Sequence, residues 1–200
     1  MLVRHWMTLN PITVTPEEDI KSAYSLLKQR GFRQFPVVKG GELTGIVTHR
    51  DLIEAVALRK LTVAEIMRYD PVTVSANTTL EEAAQIVRDR KINSLPVVSE
   101  GNRLVGIITI TDILDGLLNP LRLYKKPVRV KVKISEGADI CEVFKLLQMT
   151  SAKVASFVSS VESNDTFFFW LVDCKLEELD KELEEKKLNV EVTYSKTGST

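Results

Sequence analysis

Apolar positions along this chain recur at two spacings, and blocks of the two spacings alternate. Ile20, Ala23, Tyr24 and Leu27 follow the i, i+3, i+4, i+7 rule of a helix with one buried face. Ahead of them Ile12-Thr13-Val14 predicts a short strand. Phe35 to Lys39 predicts another, entered by a proline that cannot donate to a ladder at that position. Gly40-Gly41 predicts a hairpin turn, because glycine supplies the positive φ such turns need, and Leu43 to Thr48 returns as the second hairpin strand. Leu52, Ile53 and Val56 start a second amphipathic helix. The series then repeats with Leu80, Ala83, Ala84 and Val87, with Leu95 to Ser99, with the turn Gly101-Asn102, with Leu104 to Thr109, and with Ile113, Leu114 and Leu117. Each half therefore reads β-α-β-β-α.

The repeat extends to identities. Met7, Pro11, Phe35-Pro36-Val37-Val38 and Gly45 to Leu52 match Met67, Pro71, Leu95-Pro96-Val97-Val98 and Gly106 to Ile113. The register slips by one residue only at the glycine-containing turn. Two copies of one unit imply a shared core and a pseudo-symmetry.

A different pattern follows Asn119-Pro120 and the linker ending Lys125-Lys126-Pro127. Val128, Val130, Val132 and Ile134 alternate with Arg129, Lys131 and Lys133, a strand with one buried face. Ile140, Val143, Phe144 and Leu147 form a helix after Gly137. Val154 to Val161 and Phe167 to Val172 are strands around Ser163-Asn164-Asp165. Leu176, Leu179 and Leu183 mark a charged helix, and Asn189 to Tyr194 a last strand. The order is β-α-β-β-α-β, the split arrangement of ferredoxin-like domains. The chain thus divides into residues 1–60, 61–120, a linker at 121–127, 128–195 and a polar tail at 196–200, in an α+β class.

Composition narrows the function. Lys plus Arg equals Asp plus Glu at 27 each, which removes the usual electrostatic reason to expect nucleic acid or an anionic membrane. The N-terminus has no apolar signal core, and the longest apolar run, Phe167 to Val172, is too short to span a bilayer. Cys141 and Cys174 are isolated, which reads as reduced packing cysteines in a cytoplasmic protein. His5 and His49 have no ligand cluster around them, so no metal is expected. No P-loop, nucleophile elbow or carboxylate constellation marks an enzyme core.

The chemistry concentrates in Thr48-x-x-Asp51 and Thr109-x-x-Asp112, at the same point of each copy. Each is a capping box, with threonine at the helix start and aspartate at the positive end of the dipole. Each also sits where a strand enters a helix. An aspartate there can accept hydrogen bonds from a ribose diol, and the free N–H groups there can receive phosphate. The two uses are compatible.

Taken together, these motifs over residues 6 to about 118 resemble a tandem pair of CBS domains, a Bateman module. The resemblance implies a two-unit disc with two clefts for adenosyl ligands. Asp51 and Asp112 would hold ribose hydroxyls, and Thr48 and Thr109 would sit by the ribose or α-phosphate. Ile12 and Val72 would line an adenine slot, with backbone of the Phe35 and Leu95 strands reading its edge. Arg33 stands where the family often has a basic residue, and Asn93 is its counterpart. His49 and Arg50 stand where the other copy has Ile110 and Thr111. Grouped by copy, the first site is expected to suit phosphate and the second to be more neutral. Residues 127 to 195 resemble an ACT domain, with Glu136-Gly137 where that family often has Pro-Gly. The whole order is similar to acetoin-utilisation type B regulatory proteins.

These resemblances imply a non-catalytic sensor, without a resident cofactor, that binds an adenine nucleotide of the AMP, ADP or ATP class. S-adenosylmethionine and NAD share the same adenosine half. A homodimer and a regulated partner protein are expected, without nucleic acid or membrane. The alternatives are a scaffolding protein with unoccupied clefts, or amino-acid sensing by the ACT-like domain.

Overall fold

Each half of the repeat folds around a hairpin whose tight turn the sequence dictates. Gly40 and Gly41 adopt φ of 61° and 91°, and Gly101 and Asn102 adopt 68° and 57°, positive values that suit a two-residue hairpin turn. In chain order the elements are β1 (Thr8–Leu9), α1 (Ile20–Arg30), β2 (Gln34–Lys39), β3 (Glu42–Thr48) and α2 (His49–Ala57). Then come β4 (Arg68–Tyr69), α3 (Leu80–Arg90), β5 (Ser94–Ser99), β6 (Arg103–Thr109) and α4 (Ile110–Leu118). Asp19 caps α1 by accepting from the Lys21 and Ser22 N–H groups at 2.9 and 3.0 Å. Thr79 and Glu82 close a reciprocal capping box at α3.

This computed structural model describes residues 1–57, 61–121, 126–135, 139–186 and 190–196. Gly137, Lys125, Asn189 and the residues after 196 lie outside them. Two units are distinct, Met1–Leu117 and Leu118–Thr200.

In the first unit the halves trade their leading segments. β1 pairs with β6 of the second copy (Thr8↔Ile107, Leu9↔Gly106), and β4 pairs with β3 of the first (Gly45↔Tyr69, Ile46↔Arg68). The strand predicted at Ile12–Val14 is therefore absent. The chain leaves β6 at Leu9, turns at Asn10 (φ 48°), and touches its own copy through one parallel bridge, Val14 to Val37. Val74 bridges Val97 in the same way. Glu42 and Arg103 join the hairpins into one six-stranded sheet.

The cores follow this crossing. The first packs Ile20, Leu27, Phe35, Val47 and Leu52 with Val63 and Met67, which stand at the start of the second copy. The second packs Leu80, Leu95, Ile108 and Ile113 with Val3, and Trp6 and Met7 lie against it. Burial of a side chain such as Val3 or Val63 contributes ~1.5–3 kcal/mol, so each half draws stability from residues outside its own repeat. The crossing also explains two repeated motif residues. A Cβ on Gly106 would lie 2.8 Å from the Met7 sulfur and 2.9 Å from the Thr8 carbonyl oxygen. On Gly45 it would lie 2.9 Å from the Arg68 carbonyl oxygen and 3.0 Å from the Met67 sulfur. Methionine and glycine are two sides of one contact.

The helices after each hairpin bury less than their sequence predicts. Leu52 and Ala55 face the core, whereas Ile53 and Val56 are exposed. In α4, Ile113 and Gly116 are buried and Leu114 is exposed.

The second unit comprises β7 (Val128–Ile134), α5 (Ile140–Met149), β8 (Lys153–Ser159), β9 (Thr166–Val172), α6 (Leu176–Lys186) and β10 (Val190–Lys196). Its antiparallel sheet has the order β10-β7-β9-β8. Val130, Val132, Phe169 and Leu171 pack with Val143, Leu146, Leu147 and Leu179. Phe168 lies on the opposite sheet face, with the Arg129 guanidinium 4.2 Å from its ring centre. Cys141 is exposed on α5, so it is not the packing residue the sequence reading expects. Cys174 is half-buried, and burial pushes its thiol pKa up, helped by Asp180 and Glu178.

Replacing Gly106 or Gly45 by alanine should force the crossing strand away from its partner and cost ~1–3 kcal/mol, the range for overpacking. Urea denaturation should show a lower midpoint for both variants. A midpoint equal to wild type would mean that the crossing strands tolerate displacement.

Candidate ligand-binding clefts

Thr48 ends β3 and Thr109 ends β6, and both threonines start helices. The Thr48 N–H and hydroxyl donate to Asp51 Oδ2 at 2.9 and 2.6 Å, and the Asp51 N–H donates back to the hydroxyl at 3.3 Å. Thr109 and Asp112 repeat this at 2.8, 2.7 and 3.3 Å. Both are complete capping boxes, and each uses only one carboxylate oxygen. The second oxygens differ. Asp51 Oδ1 accepts from the Arg68 guanidinium at 3.4 Å, while Asp112 Oδ1 has no hydrogen-bond partner among the described residues.

Strand crossing sets what faces these helix starts. With β1 held on β6, Ile12 lies across a cleft from Thr109, Ile110 and Thr111, and Phe32, Arg33 and Pro36 complete the apolar and basic wall. This cleft encloses about 410 Å³. Its pseudo-symmetric counterpart encloses about 330 Å³ between Thr48 and Arg68 on one side and Val72, Ile92, Asn93 and Pro96 on the other. Both volumes lie within the range of small-molecule sites. Gln34, Asn93 and Ser94 line both clefts, so the two meet at the pseudo-two-fold.

The residues singled out in the sequence are thus brought together across copies. Ile12 and Arg33 share a cleft with Thr109 and Thr111. Thr48 shares one with Val72 and Asn93. The Arg33 carbonyl accepts from the His49 N–H at the start of α2 at 2.8 Å. His49 and Arg50 are exposed and lie on neither wall, and the His49 ring stacks on Tyr24 at 5.8 Å. The expected grouping of Arg33, His49, Arg50 and Asp51 in one phosphate site is therefore not what the fold assembles. Asp51 and Asp112 stand behind their threonines, and the Asp51 side chain is 13% exposed. Phe35 and Leu95 are fully buried in the cores and off both walls. Alternate strand residues face opposite ways, so Gln34, Pro36, Ser94 and Pro96 of the same two strands line the clefts.

Arg68, Phe32, Ile92, Gln34 and Ser94 were not legible as site residues. Their signal was positional: Thr8 and Arg68 each follow the repeated methionine, and Phe32 to Gln34 aligns with Ile92 to Ser94. Ser94 has a further distinction. It is 4% exposed, and its hydroxyl has no hydrogen-bond partner among the described residues. Among the described residues, no group of three or more His, Cys, Asp or Glu could hold a metal ion, and no helix is long and apolar enough to cross a membrane.

The CBS domain family matches this chain twice, over residues 3–58 and 63–119. The chain belongs to that family and carries its domain as a tandem pair. It is 38% identical over 121 residues to an inosine-5'-monophosphate dehydrogenase of Korarchaeum cryptofilum, a match covering 60% of this chain and 25% of that enzyme. Among solved structures it is similar to the CBS domain pair of protein MJ0100 in complex with 5'-methylthioadenosine and S-adenosyl-L-methionine. That match is 30% identical with a TM-score of 0.55, over 60% of this chain and 97% of the other. A putative acetoin utilization protein (AcuB) from Vibrio cholerae is 32% identical with a TM-score of 0.56, over 62% and 96%.

Ser94→Ala should leave the ligand-free protein as stable as wild type or more stable by up to ~1 kcal/mol, because it removes a buried hydroxyl that bonds to nothing. Thermal unfolding checks the sign. A loss of more than that amount would show that the hydroxyl has a partner in solution.

Proposed function

We propose that this chain is a non-catalytic regulatory sensor whose two clefts bind adenosine-containing ligands. The observation that carries this reading is the half-used carboxylate. Asp112 spends Oδ2 on its capping box and keeps Oδ1 unpaired, behind a threonine on the wall of a cleft of about 410 Å³. A ribose diol supplies two donors that such an oxygen accepts, with the strength of a charge-assisted bond. The apolar residues Ile12, Phe32 and Pro36 offer a flat base its hydrophobic wall, and the helix start attracts an α-phosphate. The adenosyl ligands of the MJ0100 domain pair support the ligand class.

The same helices carry the response. α2 and α4 begin at the ligand-reading Thr-x-x-Asp and expose Ile53, Val56 and Leu114 along their length. Two copies of the chain would cover these residues in a two-fold dimer, and a ligand that favours one packing shifts the assembly toward it. The C-terminal unit acts as an ACT-like assembly domain in this cytoplasmic protein. The match to the dehydrogenase relative covers only 25% of that enzyme.

Two measurements test the proposal. Asp112→Ala should weaken adenosine or AMP binding in its own cleft by ~1.5–3 kcal/mol, roughly ten- to a hundredfold in Kd, and Asp51→Ala should do likewise in the other. Titration calorimetry of the single and double variants reads this directly, and unchanged affinity in the double variant leaves the aspartates as helix caps alone. Light scattering should give twice the chain mass at micromolar concentration. A monomer with and without nucleotide would remove the dimer from the mechanism.

A further inference from the structure

The pseudo-two-fold maps Arg68 onto Thr8, and this one difference changes what each ribose-reading carboxylate offers. At one cleft the Arg68 guanidinium rests 3.4 Å from Asp51 Oδ1, the oxygen that the capping box leaves over. At the other, the equivalent oxygen of Asp112 has no hydrogen-bond partner among the described residues, and Thr8 brings no charge. The clefts do not differ in overall charge. Arg68 and Lys91 stand with Asp70 on one wall, and Arg33 stands alone on the other, so each gains one positive charge beyond its own aspartate. The difference is where the cation sits. The Arg68 side chain is 68% exposed, so it can leave Asp51 without unpacking the core.

We propose that Arg68 is a specificity latch: the Thr48–Asp51 cleft selects adenosine ligands that carry a phosphate chain, and the Thr109–Asp112 cleft accepts adenosine ligands with little negative charge. A ribose diol that takes Asp51 Oδ1 must displace the guanidinium. A nucleoside diphosphate or triphosphate gives the displaced arginine a new bidentate partner, whereas adenosine leaves it with water alone. At Asp112 the diol displaces no cation, so the phosphate chain brings no comparable advantage. This inference rests on the proposed adenosyl reading of the clefts; it keeps the phosphate preference expected for Thr48 and Asp51 and assigns it to Arg68 in place of Arg33, His49 and Arg50.

Calorimetry with ATP and adenosine tests it, one cleft at a time. Asp112→Asn confines the measurement to the Thr48 cleft, and Asp51→Asn to the Thr109 cleft. The Thr48 cleft should prefer ATP over adenosine, and the preference should shrink as salt rises. Arg68→Thr should cut that ATP-to-adenosine preference roughly tenfold, by weakening ATP and strengthening adenosine together. Arg68→Lys, which keeps the charge without the fork, should fall between. Thr8→Arg should install the preference in the Thr109 cleft. A melting temperature equal to wild type for Arg68→Thr keeps folding out of the comparison. If both clefts bind both ligands with one common ratio that Arg68→Thr does not move, the latch is overturned and the adenosyl reading stands. If neither ligand binds either cleft, both fall together.

Discussion

Everything in the first unit depends on the crosswise pairing of β1 with β6 and of β4 with β3. Without it each hairpin would have an open edge, and each core would lack residues that lie outside its own repeat, Val3 on one side and Val63 with Met67 on the other. With it, the stretch between the borrowed strand and the home helix must cross from one half to the other. Ile12 and Val72 lie on those crossings. The clefts are therefore by-products of the graft: a gap remains where a chain passes between two hairpins. This is also why each cleft mixes copies.

At each helix start one carboxylate divides its two oxygens. A helix start needs an acceptor for its free N–H groups, and Thr-x-x-Asp supplies one worth about 1 kcal/mol. The box consumes Oδ2 and leaves Oδ1 over, held by Arg68 in Asp51 and without a hydrogen-bond partner among the described residues in Asp112. An aspartate placed only for binding would be an unpaired charge in a half-buried position. Capping holds it in place, already oriented, whether or not a ligand is present.

The repeat made most of the architecture legible. Period-3.6 runs at Ile20 to Leu27 and Leu80 to Val87 and the two glycine turns correspond to α1, α3 and the hairpins. What sequence could not show was which half each leading segment would join. Thr8-Leu9 and Arg68-Tyr69 are too short to carry a period, and Ile12-Thr13-Val14 looks more strand-like than either. That single ambiguity hid Arg68, whose contact with Asp51 exists only once β4 lies against β3. It also misplaced Arg33, His49 and Arg50, which are neighbours of Asp51 in the repeat but not on its cleft wall. Strand alternation moved Phe35 and Leu95 inward and left Gln34 and Ser94 at the pseudo-two-fold. The C-terminal strand Val128–Ile134 was legible because its alternation is uninterrupted.

The graft is symmetric in space but not in time. Gly45 and Tyr69 are close in sequence, so the first core has its borrowed residues soon after they leave the ribosome. Thr8 and Ile107 lie near opposite ends of the unit, and Val3, Trp6 and Met7 must wait for nearly the whole of it before their pocket exists. Long loop closure is slow, and waiting apolar residues are open to wrong partners. A nascent chain thus completes its first half early and carries a sticky N-terminal arm until β6 appears. Within this unit, the arm that carries Val3 has its place only once β6 exists.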